Sequence, residues 1–105
     1  MTLSQWEHPE AIAEFDAAVR WYEEQKQGIG LRFIEHAQQA RLDIAEWPDA
    51  APLFATGDDG TVIRSKGVRG YPYHVVYSVE PNLILILAYA HDRREPGYWL
   101  DRLNS

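Results

Sequence analysis

The sequence contains no cysteine, only two lysines and no long hydrophobic run. Without thiols the chain cannot form disulfides, zinc–thiolate sites or cysteine nucleophiles, and it suits a reducing compartment. The longest apolar run, Leu83 to Ala90, is far shorter than a membrane-spanning helix. The first residues, MTLSQWEHPE, lack the basic and apolar parts of a signal peptide. These absences predict a cytoplasmic protein with no membrane partner.

What the sequence does contain is typical of one globular domain. The 105 residues, of which 46% are hydrophobic and 12% aromatic, suffice for a single core, so residues 1–105 are predicted to form one domain. The net charge of −6 is uneven. Residues 1–60 carry 12 acidic and 4 basic side chains, a net charge of −8, whereas residues 61–105 carry 4 and 6, a net charge of +2. Acidity argues against a dedicated nucleic-acid binder, but the second half is compatible with a local anion-binding surface.

Hydrophobic periodicity predicts two helices after a short strand at Thr2–Trp6. Pro9 suits the first position of a helix, and Glu10 and Glu14 lie near its positive end, where acidic residues are favourable. Apolar side chains then recur every three or four residues, at Ile12, Phe15, Val19 and Tyr22. After the glycines of KQGIGL the pattern resumes, at Phe33, Ala37, Ala40, Ile44 and Trp47. Pro48 ends the second helix. We expect both stripes to pack in the core, as a helical hairpin with a short glycine link.

In the second half of the chain, the spacing of the apolar residues changes from that of helices to that of strands. PDAAPLFATGDDG, rich in proline, glycine and aspartate, predicts a loop. TVIRSKGV predicts an outer strand, YHVVYSV a half-buried strand, and LILILAYA, apolar on both faces, the centre of the sheet. Pro81 and Asn82 predict the last turn, and YWLDRLN predicts a final turn or two of helix. The predicted fold class is α+β: a strand, two helices and three strands, with the helical hairpin packed on a small antiparallel sheet.

The ordered motifs of the chain resemble those of the RelE/ParE superfamily of bacterial toxins. The resemblance is carried by GVRGYPYHVVY, a short turn, an aliphatic strand and AHDRREPGYW, together with the first helix, HPEAIAEFDAAVRWYEEQ. It extends from about Trp6 to Trp99. These toxins belong to type II toxin–antitoxin modules and are often labelled plasmid-stabilisation proteins. The resemblance therefore implies the strand–helix–helix–sheet fold, growth inhibition, and a cognate antitoxin whose tail wraps the toxin in a heterodimer or a 2:2 complex.

The resemblance implies one of two activities. RelE-like toxins are metal-independent endoribonucleases that cleave mRNA on the ribosome, whereas ParE-like toxins inhibit DNA gyrase and have no known hydrolytic site. The best-described nucleases are rich in lysine and arginine, but this chain has only Lys26 and Lys66 as lysines. Polyanionic RNA also repels a protein of charge −6. The balance favours ParE-like inhibition, with RelE-like cleavage and a non-toxic binding module that retains the fold as alternatives.

Candidate site residues follow from the chemistry of RNA cleavage. Attack by a 2′-hydroxyl needs a base, cations that stabilise the phosphorane, and an acid. Histidine exchanges protons near neutral pH and paired arginines hold phosphate. If the protein is a ribonuclease, the catalytic candidates are His91, Arg93, Tyr98 and Arg69, with His74 as a further base or acid. The candidates for phosphate or partner binding are Arg64, Lys66 and Arg94.

Each candidate also has a structural explanation. Polar residues after a core strand often mark where the chain meets water. Arg64 and Lys66 are typical guards of an outer strand, and Tyr98 is placed to pin the C-terminus to the core. A metal-dependent enzyme built on His74 and His91 is poorly supported, because no histidine pair has ligand spacing. We therefore expect no metal and no cofactor.

Overall fold

The computed structural model describes residues 3–104 and has an α+β architecture, a helical hairpin packed on a five-stranded sheet. The elements in chain order are β1 (Ser4–Glu7), α1 (Pro9–Gln25), α2 (Ile29–Glu46), β2 (Leu53–Thr56), β3 (Val62–Gly67), β4 (Tyr73–Val79), β5 (Leu83–His91) and a 3-10 helix (Leu100–Asn104). The strands lie in the order β1-β5-β4-β3-β2. The predicted fold class and the final helical turns are confirmed. Within the described residues, neither α-helix has the length and apolar character needed to cross a bilayer.

The link between α1 and α2 is held by a carboxylate and two glycines. Glu23 accepts hydrogen bonds from the backbone N–H groups of Gly28 and Gly30, at 2.9 and 3.0 Å. It thereby satisfies amides that the start of a helix otherwise leaves without a partner. Gly28 has a φ of 94°, in the left-handed region that glycine tolerates. A Cβ atom on Gly30 would lie 2.7 Å from the carbonyl oxygen of Val19, so this position requires glycine for close helix packing.

Two residues of the predicted helical stripes lie outside the core. Ile12 and Trp47 are 43% and 64% exposed. Ala11 and Ala18 are the residues of α1 that are buried. The stripe prediction was wrong for Ile12 because the buried face of α1 is centred on small side chains, which permit close approach to β5 and α2.

The sheet is mixed, because β1 pairs parallel with β5. Ser4 lies opposite Leu83 and Glu7 opposite Ile86, whereas all other described pairs of strands are antiparallel. The predicted first strand began at Thr2, which lies outside the described residues. The expectation of a purely antiparallel sheet was wrong in this detail, because a strand of four residues carries no local signal of its partner's direction.

β2 lies within the segment that was predicted to be a loop. It pairs antiparallel with β3, with a register irregularity between Leu53 and Ala55. β3 is therefore not an outer strand in its first half, and Arg64 does not guard a free edge. Its guanidinium NH1 donates instead to the carbonyl of Ala51, at 2.8 Å. The strand escaped prediction because LFAT is short and flanked by proline and glycine.

β5 lies inside the sheet and is buried on both faces, as predicted. On the helix face, the side that carries α1 and α2, the core includes Phe33, Tyr77 and Ile86. On the opposite side, here called the outer face, Leu87 packs with Trp99, which is 1% exposed. The C-terminal segment therefore covers this face. For the same reason residues 75–78 of β4 are buried on both faces rather than half-buried as predicted.

Candidate functional site

A groove lies between α1 and the end of β5, and three of the eight candidate residues line it. Its volume is about 290 Å³. We call it the aromatic groove, because five of the nine side chains that line it are rings. The rings are Trp21, Tyr73, Tyr89, His91 and Tyr98, and the other lining residues are Glu14, Ala17, Ala18 and Arg94. The two alanines of α1 leave the space, and Trp21 is 57% exposed.

A carboxylate on α1, Glu14, holds this groove together. Its side chain is 16% exposed. It accepts hydrogen bonds from the backbone N–H of Tyr89 at 3.1 Å, from the hydroxyl of Tyr98 at 2.6 Å, and from both terminal nitrogens of Arg102 at 2.9 and 3.0 Å. Arg102 is buried and also donates to the carbonyl of Leu87. The paired carboxylate and guanidinium therefore tie the C-terminal segment to α1 and β5.

The surroundings of Tyr98 keep its hydroxyl proton in a hydrogen bond. Burial raises the pKa of Tyr98 well above its usual value, and the hydrogen bond to Glu14 raises it further. The guanidinium carbon of Arg94 lies 3.9 Å from the centre of the Tyr98 ring, and Arg94 NH1 lies 3.9 Å from Glu14 Oε2. The phenol thus stays protonated and donates to Glu14, while its ring supports Arg94 through a cation–π contact.

His91 also has one of its ring nitrogens engaged. Its Nδ1 accepts a hydrogen bond from the backbone N–H of Arg93 at 3.1 Å. In the neutral imidazole the proton is therefore on Nε2, which can act as a donor. The ring packs edge-on against Tyr73, with 5.1 Å between the ring centres. This arrangement suits donation to an acceptor on a bound partner better than removal of a proton from a substrate.

His74 points to the outer face and is not part of the aromatic groove. Its Nδ1 lies 2.9 Å from Asp92 Oδ1, and its ring packs edge-on against Phe54 at 5.3 Å. Arg93 is exposed and does not line the aromatic groove either. Although both residues are close to His91 in the chain or the sheet, neither His74 nor Arg93 contributes to the aromatic groove.

The remaining candidate cations lie elsewhere. Lys66 and Arg69 line a separate groove of about 420 Å³ between α2 and the turn after β3. Lys66 Nζ lies 3.8 Å from Asp43 Oδ2. Arg64 is engaged by the carbonyl of Ala51 and lies 3.9 Å from Asp49. The structure thus brings His91, Arg94 and Tyr98 together and places Arg69, Lys66 and Arg64 in other surroundings.

Glu14 and Arg102 were not predicted from the sequence as members of the site. Glu14 was interpreted as one of the acidic residues that favour the start of a helix. Its position three residues after Ala11 and four before Ala18, both buried, is the signal that places it on the inner side of α1. No comparable pattern surrounds Arg102. Between residues 3 and 104, no three histidine or carboxylate side chains are grouped closely enough to hold a metal ion.

The fold is similar to that of a solved bacterial protein structure. No family model matches the chain, and no curated protein matches it in sequence. A chain of the solved structure of the chromosomal ParDE TA system from P. aeruginosa superposes with a TM-score of 0.71 at 15% sequence identity. The alignment covers 86% of this chain and 96% of that chain. The protein therefore has the RelE/ParE-like fold that its motifs implied.

Proposed function

We propose that this protein is the toxin of a type II toxin–antitoxin module and that it acts by binding its target, as ParE-like inhibitors of DNA gyrase do, rather than by cleaving RNA. The ordered motifs and the likeness in fold to a chain of a ParDE TA system support the module. The observation that carries the choice of mechanism is the engagement of the acid–base candidates in internal hydrogen bonds.

A ribonuclease needs a base, an acid and cations that converge on one phosphate. Here the Tyr98 hydroxyl donates to Glu14, and the Nδ1 lone pair of His91 accepts from a backbone amide. Arg69, the fourth catalytic candidate, lines a different groove. Arg94 is the cation that does share the groove with His91, and its ring contact with Tyr98 fixes it for binding. These side chains are therefore better suited to binding a partner surface than to proton transfer.

The proposed partners are a gyrase-type target and a cognate antitoxin, which meet the toxin in the cytoplasm. Large apolar side chains are exposed over several faces of the described chain, among them Trp6, Trp21, Leu42, Trp47 and Leu53. Isolated exposed residues are common, but so many large ones on a small domain are typical of a protein that is covered by a partner. We expect the chain to associate when expressed alone and to become monodisperse with its antitoxin, in a heterodimer or a 2:2 complex.

The test is to express the protein from a tightly controlled promoter and to follow thymidine and amino-acid incorporation in parallel over the first minutes. The proposal predicts that DNA synthesis falls first and that purified protein blocks gyrase supercoiling in vitro. A variant with both His91→Ala and Arg93→Ala should stay folded and remain toxic, with DNA synthesis still falling first, and at most be weakened by the loss of His91 from the proposed binding surface. An early fall in protein synthesis, abolished by the same pair of changes, would establish RelE-like mRNA cleavage instead. If neither falls, the protein is a binding module without toxicity.

A further inference from the structure

The aromatic groove is lined by side chains whose hydrogen-bond donors are unused. Within the described residues, the guanidinium of Arg94 has no acceptor at hydrogen-bond distance; its partners are the Glu14 carboxylate, at 3.9 Å, and the ring of Tyr98. Nε2 of His91 and the hydroxyl of Tyr73 also have no hydrogen-bond partner in this part of the chain. Three side chains with unused donors therefore line one groove.

The carboxylate that lines the groove is, by contrast, fully used. The two oxygens of Glu14 accept four hydrogen bonds, which fills their capacity. The buried guanidinium of Arg102 supplies two of these bonds and compensates the charge of Glu14. The positive charge of Arg94 is therefore left without a hydrogen-bonded counter-charge. A ligand that complements these groups is an anion with acceptor atoms.

Rings and two alanines shape the rest of the aromatic groove. Ala17 and Ala18 leave the space beside α1, and Trp21, which is 57% exposed, borders it. The Trp21 ring packs edge-on against Tyr22, with 5.2 Å between the ring centres. A flat aromatic ligand can pack against such rings in an offset or edge-on arrangement. The groove volume of about 290 Å³ lies at the lower end for ligand pockets, so it favours a small ligand.

Two other kinds of ligand suit the groove less well. Aromatic side chains can surround a cation, but the ring of Tyr98 already carries the guanidinium of Arg94, which would repel a second positive charge. A phosphate dianion or a polyanion such as RNA requires several cations that converge. Lys66 and Arg69 line a different groove and cannot take part. One available guanidinium beside the His91 donor matches a single carboxylate.

We infer that the aromatic groove is a binding site for a small aromatic carboxylate. The carboxylate accepts hydrogen bonds from the guanidinium of Arg94 and from Nε2 of His91, and the flat ring packs against Trp21. The inference is drawn from the geometry of the groove. It rests on the proposed function only for its consequence, which is that a bound ligand competes with the protein target for the same surface.

Binding can be measured by titrating the purified, 15N-labelled full chain with indole-3-acetate and recording its amide NMR signals. The signals of Ala17 and Ala18 should shift, with a dissociation constant of about 1 mM or lower for a ligand of this size. Indole-3-acetamide is the matched control, because it has the same ring and shape but no charge. It should bind about tenfold more weakly, as the loss of a charge-assisted hydrogen bond predicts.

Paired variants locate the site. Arg94→Gln should weaken the binding of indole-3-acetate by about tenfold and remove the preference over the amide. Arg93→Gln is the control, because Arg93 is the adjacent exposed arginine but does not line the groove. Trp21→Ala should also weaken binding, whereas Trp47→Ala should not, because Trp47 is exposed, at 64%, beyond the end of α2. Circular dichroism confirms that all four variants are folded.

Three results would overturn the inference: equal affinity for the acid and its amide, unchanged binding to the Arg94→Gln variant, or NMR shifts confined to residues outside the aromatic groove. A non-toxic protein that still binds indole-3-acetate with this selectivity would refute the proposed function and leave the inference standing. Inhibition of gyrase by a protein that does not bind indole-3-acetate would refute the inference and leave the proposed function standing.

Discussion

Replacement of Glu14 by glutamine should be among the most damaging conservative changes in this chain. The glutamine side chain has the same shape, but one acceptor oxygen becomes an NH2 donor. Each oxygen of Glu14 accepts two hydrogen bonds, one of them from Arg102. Whichever way the amide is oriented, two donors lose their acceptor, and the guanidinium of Arg102 loses its buried counter-charge.

The size of the effect follows from burial. The side chains of Glu14 and Arg102 are 16% and 9% exposed. A buried donor without an acceptor costs about 1–3 kcal/mol, and breaking a buried ion pair costs about 3–5 kcal/mol. Because Glu14 is partly exposed, Glu14→Gln should lower the free energy of unfolding by about 3 kcal/mol, the lower end of the range for a buried ion pair. For a domain of this size that corresponds to a melting temperature lower by about 15 °C.

The assay is urea unfolding followed by circular dichroism at neutral pH. Glu10→Gln is the control, because Glu10 Oε2 also faces Arg102, at 3.4 Å, but its side chain is 68% exposed. An exposed pair of this kind contributes less than about 1 kcal/mol. If the two glutamine variants have the same free energy of unfolding, Glu14 does not fasten the C-terminal segment and the account of the aromatic groove fails.

Two further predictions concern packing and pH. Gly30→Ala should lower the free energy of unfolding by about 1–3 kcal/mol, because its Cβ would meet the carbonyl of Val19. Gly67→Ala is the control and should not destabilise the protein, because the space around Gly67 is open. Equal urea midpoints for the two variants would contradict the prediction. Burial raises the pKa of Tyr89 and Tyr98 above their ordinary value of 10.0, so the unfolded chain loses these protons first. The contribution of these two tyrosines to stability should therefore be complete below about pH 10 and decline above it. Urea midpoints that do not change from pH 9 to 11, or full tyrosinate absorbance near pH 10 in the folded protein, would refute the second prediction.

The helices could be predicted because their signals are local. The spacing of apolar residues, Pro9 at the start of α1 and Pro48 just beyond α2 all act within a few residues of the elements that they define. The antiparallel pairing of β4 with β5 was equally accessible, because the Pro81-Asn82 turn joins strands that are adjacent in the chain. These parts of the fold follow from short-range chemistry.

The features that escaped prediction depend on contacts between distant residues. β1 pairs with a strand at the far end of the chain, and nothing in SQWE specifies a parallel partner. The same holds for Glu14 and Arg102, which are 88 positions apart. His91, Arg94 and Tyr98 could be predicted as candidates because they cluster in one motif. The carboxylate that contacts Tyr98 and Arg94 lies on α1, where its sequence context is that of an ordinary helix residue.

The distance between Glu14 and its partners also determines when the protein can fold during its own synthesis. Tyr98 follows Glu14 by 84 positions, so a ribosome adding about 5–20 residues per second takes roughly 4 to 17 s to deliver it. β1 and the helical hairpin emerge well before β5, which supplies the inside of the sheet and pairs with β1. A nascent chain that ends before β5 therefore lacks the complete sheet and the aromatic groove, and the domain can complete its fold only after nearly the whole chain has been made.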